Sequence, residues 1–484
     1  MEAADEEAPV SRLARLGLWL GPVLAAAVWL GLAAIGLKAE ATRLAAITAL
    51  MATWWMTEAA PVAVTAVLPL VLFPWLGVSP AKSVAPNYGH DLIWLFFGGF
   101  QLAFAIERRG LHRRIALFLV RLIGTRADRL VLGFMLAAGL LSMWLVNTST
   151  TLMMLPVALA VAKAIEPEGD GPFGAALMLG LAYSASVGGM GTYLGTAPNG
   201  VFRGIAEKFG VAITFGQWMA FAAPLSLVLI GLIWVYLTRF AFSIRRGELP
   251  DDHPARLALA EDLGPWTPPQ RRVAVLFAVT VAMWVSRRWL LEGLGISTKA
   301  VTDSTVAVGA AVLLFLLPAG LGRQRLLTWR DATATPWHLL LLFGGGFALA
   351  DGFDATGLSR WLGGVLAGVT AGLPAPVVVL AVVLFMTFLT EVTSNTATAT
   401  VLLPVIGGLA VAMHIAPALL MVPATLAASI GFMLPVATPP NAIVYGTGRV
   451  TLPQMARAGL WINLGSAVVI TGWMLTWGRF TLPD

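Results

Sequence analysis

Apolar positions run on along this chain in long blocks, and polar positions gather in short loops between them. No lysine, arginine, aspartate or glutamate lies between Arg129 and Lys163, between Lys208 and Arg239, between Arg360 and Glu391, or between Glu391 and Arg449. Such blocks predict membrane-spanning helices, because about 20 apolar residues cross a bilayer and lipid accepts only helices or closed barrels. Barrel strands would alternate polar and apolar residues, and these blocks do not. Spans are predicted near 17–37, 43–57, 60–76, 91–107, 172–206, 214–242, 271–291, 304–318, 336–352, 415–447 and 456–478. Two further blocks, 130–165 and 374–413, are too long for one simple crossing and are interrupted by Asn147-Thr148-Ser149-Thr150 and Thr393-Ser394-Asn395-Thr396. They are predicted to be re-entrant helical hairpins with polar tips.

Composition agrees. Of 484 residues 58% are hydrophobic and 12% charged, against about 25% charged in an ordinary soluble domain. The chain is therefore read as an all-α, multi-pass protein of the inner or plasma membrane, with the lipid bilayer as a partner. A cleaved export signal is not expected, since residues 1–11 carry Glu2, Asp5, Glu6 and Glu7 and no basic leader with an Ala-x-Ala site precedes Leu16. The absence of cysteine excludes disulfides, thiolate metal sites and cysteine nucleophiles.

The net charge of +6 reports topology and not a nucleic-acid partner. With a cytoplasmic N-terminus and two hairpins that return to their side of entry, the cytoplasmic loops hold Arg108, Arg109, Arg113, Arg114, Arg121, Arg126 and Arg129, then Arg239, Arg245, Arg246, Arg256, Arg271 and Arg272, then Arg323, Arg325 and Arg330. Making either hairpin a single crossing would reverse every later loop and spoil this bias. Segment 243–270, rich in charge and proline, reads as a cytoplasmic linker between two halves.

The halves repeat. Gly98-Gly99-Phe100 with Gly110-Leu111 matches Gly345-Gly346-Phe347 with Gly357-Leu358 at an offset of 247, and Asn147-Thr148 with Pro156 matches Asn395-Thr396 with Pro404 at an offset of 248. Thr196-Ala197-Pro198-Asn199 likewise matches Thr438-Pro439-Pro440-Asn441. An odd number of crossings separates equivalent points, so the repeats are inverted, the pattern of secondary transporters that bind substrate near the bilayer midplane.

Each half thus supplies a hairpin tip with Asn-Thr and a span interrupted at Thr-x-Pro-Asn. Proline opens the helix, freeing carbonyl oxygens and presenting amide N–H groups at the start of the next half-helix. Freed carbonyls, asparagine oxygens and hydroxyls suit a small hard cation such as sodium, while half-helix N-termini suit an anion. A single Asn-Thr pair would more often be a structural hydrogen-bonding feature; two in register with broken helices reverse that weighting. Glu391, at hydrocarbon depth, is read either as functional or as a hydrogen-bonded structural group. Glu58 reads as a helix cap, Gly188-Gly189-Met190-Gly191 and Gly431 as close-packing positions, and the five histidines as structural or loop residues with no metal spacing. A membrane-embedded enzyme would need more buried acidic or histidine groups than Glu391, and a channel would need no broken inverted repeat.

These residues resemble the divalent anion:sodium symporter family: Thr390-Glu391-Val392-Thr393-Ser394-Asn395-Thr396-Ala397, the partner Asn147-Thr148 followed by Leu155-Pro156, and Thr438-Pro439-Pro440-Asn441. The resemblance implies about 11 transmembrane helices plus two hairpins, a homodimer and an elevator mechanism. Scaffold segments 14–129 and 271–373 would hold transport segments 130–242 and 374–484. It implies sodium as coupling ion and a small dianion, usually succinate, malate or fumarate, as substrate; close variants are a dicarboxylate exchanger without net sodium coupling and a sulfate carrier. By the same resemblance, one cation site would use Ser142, the Val146 backbone, Asn147 and Gly195, and the other Thr390, Thr393, Asn395 and Ala437. The substrate would meet Asn147, Thr148, Ser394, Asn395, Thr396, Thr438 and Pro439. Two positions depart from the family pattern: Val146 stands where the first tip has serine, and Ala197 where the first break has proline.

Overall fold

The computed structural model describes residues 12–167, 171–244, 253, 263–297, 300–320 and 324–482. Most of the expected linker, with Arg245, Arg246 and Arg256, lies outside the described residues, as do residues 1–11 and Arg323. The described chain is helical and contains no named strand, with an isolated bridge between Pro318 and Arg325. Eight helices among the described residues are long and apolar enough to cross a membrane alone. Of the other expected spans, 43–57 and 304–318 are single helices, Ala39–Thr57 and Asp303–Leu316, and 60–76, 172–206 and 415–447 are built from shorter pieces.

Both predicted hairpins are helix–turn–helix units broken at their polar tips. The first comprises helices Ala127–Ser142 and Asn147–Ile165, the second Ala375–Thr390 and Asn395–Ala412. Spans 172–206 and 415–447 break where the Thr-x-Pro-Asn motifs fall. Helix Pro172–Gly189 stops before a helix Ala197–Ala206, and Pro417–Ala427 stops before Pro439–Tyr445. The first hairpin packs on Pro172–Gly189, and the second on Pro417–Ala427. Close approach there depends on glycine: a Cβ on Gly188 would come within 2.1 Å of the Gly139 carbonyl oxygen. The two halves meet where the Tyr183 hydroxyl donates to the Phe432 carbonyl at 2.8 Å.

Two expectations need correction. Span 60–76 is two short helices, Val62–Ala66 and Leu68–Trp75, because Pro69 lacks the N–H that would continue the first helix. The arginine-rich stretch after Arg108 is not merely a loop, for it contains helix Leu111–Ile123, with Leu111, Ala116, Leu117 and Val120 buried. A matching helix, Leu358–Val369, follows the second copy of the motif, and each starts from a left-handed glycine, Gly110 at φ 66° and Gly357 at φ 73°. The arginines of this end also tie the chain together. Arg114 donates to the carbonyls of Leu263, Gly264 and Pro265 and to Gln270, and Arg109 to those of Arg325 and Leu326.

Candidate functional site

Four helix starts converge on one cavity of about 460 Å³. Its lining includes Val146, Asn147 and Thr148 from the first tip, Ser394, Asn395 and Thr396 from the second, Gly195 to Pro198 from the first break, and Pro435 to Pro440 from the second. Val146 and Ser394 are the N-cap residues of the second hairpin arms, and neither start has a side-chain cap. Their first-turn N–H groups are therefore open to solvent or to a ligand in the cavity, at the positive end of the helix dipole. Thr196 leads helix Ala197–Ala206 without a side-chain cap, whereas the Thr438 hydroxyl accepts from Asn441 N at 3.3 Å. Among the described residues no lysine or arginine lines the cavity; its opposite wall is mostly apolar, with Phe96, Phe100, Leu339 and Phe343 beside Glu58 and His338.

Behind each tip lies a cluster of oxygens. Ser142 Oγ lies 2.6 Å from Asn147 Oδ1. That same end of the Asn147 amide is 3.1 Å from the Gly195 carbonyl and 3.2 Å from that of Ala185. One hydroxyl proton cannot satisfy four oxygens. Either the amide turns its NH2 inward and shares its two protons among the three neighbours, or its oxygen joins them around a hard cation, for which such a set is suited. The second tip repeats the arrangement: Thr390 Oγ1 lies 2.5 Å from Asn395 Oδ1 and 3.0 Å from the Ala428 carbonyl.

The breaks are held open by their own side chains. Asn199 Nδ2 donates to the carbonyls of Gly189, Met190 and Thr192 at 3.2, 3.2 and 2.7 Å, and Asn441 Nδ2 to those of Gly431 and Leu434 at 2.9 and 3.0 Å. Glu391 anchors the second break. Its carboxylate accepts from Phe432 N at 2.7 Å, Met433 N at 2.9 Å, Leu434 N at 3.1 Å and Asn463 Nδ2 at 2.5 Å. In the first break the hydroxyl of Thr192 serves instead, accepting from Leu194 N and Gly195 N and donating to the Met143 carbonyl.

The structure thus gathers Val146, Asn147, Thr148, Gly195, Ser394, Asn395, Thr396, Ala437, Thr438 and Pro439 along one cavity, with Ser142 and Thr390 directly behind it. Thr393 stands apart from the second oxygen cluster, since its hydroxyl donates to the Leu389 carbonyl and meets that of Thr398 at 2.6 Å. Glu58 caps helix Ala39–Thr57 in a left-handed conformation and also lines the cavity, as does His338. The Ala185 and Ala428 carbonyls and Thr192 were not singled out from the sequence. Backbone oxygens carry no residue signature, although the chain before each interruption is where freed carbonyls are to be sought.

The sequence matches the family model described as the sodium:sulfate symporter transmembrane region over residues 15–482. It is 41% identical over 466 residues to a Staphylococcus saprophyticus protein named sodium-dependent dicarboxylate transporter SdcS, covering 94% of this chain and 89% of that one. The Staphylococcus aureus protein of the same name is 39% identical over 478 residues, covering 96% and 92%. Among solved structures, the YdaH transporter of Alcanivorax borkumensis aligns with a TM-score of 0.56 at 16% identity, covering 86% of this chain and 90% of that one. MtrF of Neisseria gonorrhoeae aligns with a TM-score of 0.58 at 13% identity, covering 82% and 84%. At these identities the likeness is one of fold.

Proposed function

The chain belongs to the divalent anion:sodium symporter family, matched across residues 15–482, and from that membership we propose that it imports C4-dicarboxylates such as succinate, malate and fumarate together with sodium. The observation that carries this reading is the convergence of four helix starts, two from each half, on a cavity lined by no lysine or arginine among the described residues. A dianion with a charge at each end can set one carboxylate against each uncapped tip. Sodium, drawn to the oxygen clusters at Ser142/Asn147 and Thr390/Asn395, would fix the amides with their oxygens inward and their NH2 groups toward the substrate. Loading of the cation then prepares the anion site. The names of the staphylococcal relatives support the same substrate class.

The hairpins and broken spans, 130–242 and 374–484, are proposed to move as an elevator against the scaffold 14–129 and 271–373 of a homodimer. Every polar tip and break belongs to the first group. At the cavity the scaffold offers mainly Phe96, Phe100, Leu339 and Phe343, beside Glu58 and His338, a surface with few hydrogen bonds to exchange, while the Arg203–Asp303 and Lys208–Asp351 pairs between the two groups would have to part. Uptake of labelled succinate into proteoliposomes should rise sharply with an inward sodium gradient and fall to the leak level in choline. Equal uptake in both salts would favour the exchanger, and sulfate uptake without succinate uptake would favour the sulfate carrier.

A further inference from the structure

A second cavity, of about 420 Å³, opens between the turn Tyr236–Ala241, which ends helix Phe215–Val235, and the first turns of helix Leu452–Thr476. It shares no lining residue with the substrate cavity. The turn is π-helical, a wide and rare geometry that recurs at functional positions. The polar groups in the lining are Tyr236, Gln454 and Arg457, and the aromatic ones Phe240, Phe242 and Trp461.

The polar groups are matched in kind. The Gln454 oxygen is already used in a capping box, accepting from Thr451 N at 2.9 Å and Thr451 Oγ1 at 3.0 Å, which leaves its NH2 for the cavity. The Tyr236 hydroxyl and the Arg457 guanidinium are donors as well, and among the described residues no carboxylate lines the space. A set of donors around a guanidinium is the chemistry of an anion. Beside it, Phe240 is 74% and Trp461 59% exposed. An exposed tryptophan near the start of a spanning helix, as Trp461 is in Leu452–Thr476, marks the boundary region between hydrocarbon and water. The same end of the molecule carries Arg239, stacked over Trp234, and Arg449, bonded to the Glu166 carbonyl. It is therefore the arginine-bearing, cytoplasmic face, where anionic lipids meet basic interhelical pockets.

We propose that this cavity binds the phosphodiester headgroup of an anionic phospholipid. Arg457 pairs with the phosphate, Tyr236 and Gln454 donate to its oxygens, and Phe240 and Trp461 flank the first acyl carbons. The apolar walls select a lipid over a soluble phosphate.

Delipidated full-length protein titrated with phosphatidylglycerol or phosphatidylcholine, and read by native mass spectrometry, tests the assignment. Phosphatidylglycerol should bind more tightly, and Arg457→Gln should weaken it about fivefold, the contribution of one basic residue at an anionic surface, while Arg457→Lys keeps most of it. Gln454→Glu preserves the helix cap but adds a carboxylate to the lining, and should weaken binding independently. Equal phosphatidylglycerol binding by the wild type and both charge-altering variants would overturn the proposal. Displacement of the lipid by inorganic phosphate at comparable concentration would overturn it too, in favour of a soluble anion.

Discussion

Val146 and Ser394 hold the same place in two otherwise matched tips, each the uncapped residue before a helix that starts with asparagine. The isopropyl group offers the anion nothing, whereas a hydroxyl can donate to it. A neutral hydrogen bond contributes about 0.5 to 1.5 kcal/mol net. Val146→Ser should therefore tighten succinate by roughly two- to twelve-fold in a binding or uptake titration. Sodium affinity measured without succinate should change little, because the Val146 carbonyl is retained. If the serine leaves succinate unaffected but abolishes sulfate uptake, the valine marks a different specificity and the dicarboxylate reading is wrong.

Among the elements, the second break depends most on one side chain. Four donors converge on the Glu391 carboxylate, three of them backbone N–H groups of an unwound segment that has no helix to satisfy them. Glu391→Gln replaces one acceptor oxygen with a donor that faces those N–H groups. Hydrogen bonds to a charged group contribute about 1.5 to 3 kcal/mol each, so the variant should melt well below the wild type and lose transport. Thr192→Val, which removes only a neutral hydroxyl from the first break, should do less on both measures. The breaks themselves were legible in advance, because Asn-Thr and Thr-x-Pro-Asn interrupt apolar sequence where a plain span tolerates no such group. Helix Leu111–Ile123 was not. Its arginines and short apolar stripe resemble a charged loop until the other helices give that stripe something to cover. Glu391 was legible as exceptional but not as an anchor, since its partners are backbone groups some forty residues on.

At the scale of the whole molecule, two ion pairs join the segment after the first break to the proposed scaffold: Arg203–Asp303 at 2.8 Å and Lys208–Asp351 at 2.5 Å. Asp303 is also paired with Arg287 at 3.0 Å, and its side chain is 1% exposed. Removing one partner of a buried pair costs about 3 to 5 kcal/mol, while an exposed pair contributes about 0 to 1. Asp303→Asn should accordingly lower the melting temperature far more than Asp351→Asn, whose pair is more than a third exposed on both sides. The cysteine-free background also permits a direct test of the inverted topology. Single cysteines at Thr125 and Ser243 should label from the cytoplasm, and one at Leu373 only from the opposite side; labelling of all three from one side would remove the double-hairpin arrangement.

In the proposed binding mode the anion is met by peptide dipoles and amides, and among the described residues no lysine or arginine lines the cavity. The field of a dipole falls away faster with distance than that of a charge, so such a site draws little on long-range attraction from bulk solution. Diffuse counter-ions, which weaken exposed charges beyond about 10 Å at 0.1 M salt, have little here to screen. At constant sodium, the apparent affinity for succinate should therefore hold nearly level as choline chloride is raised. A carrier built on arginines would lose affinity steadily along the same series.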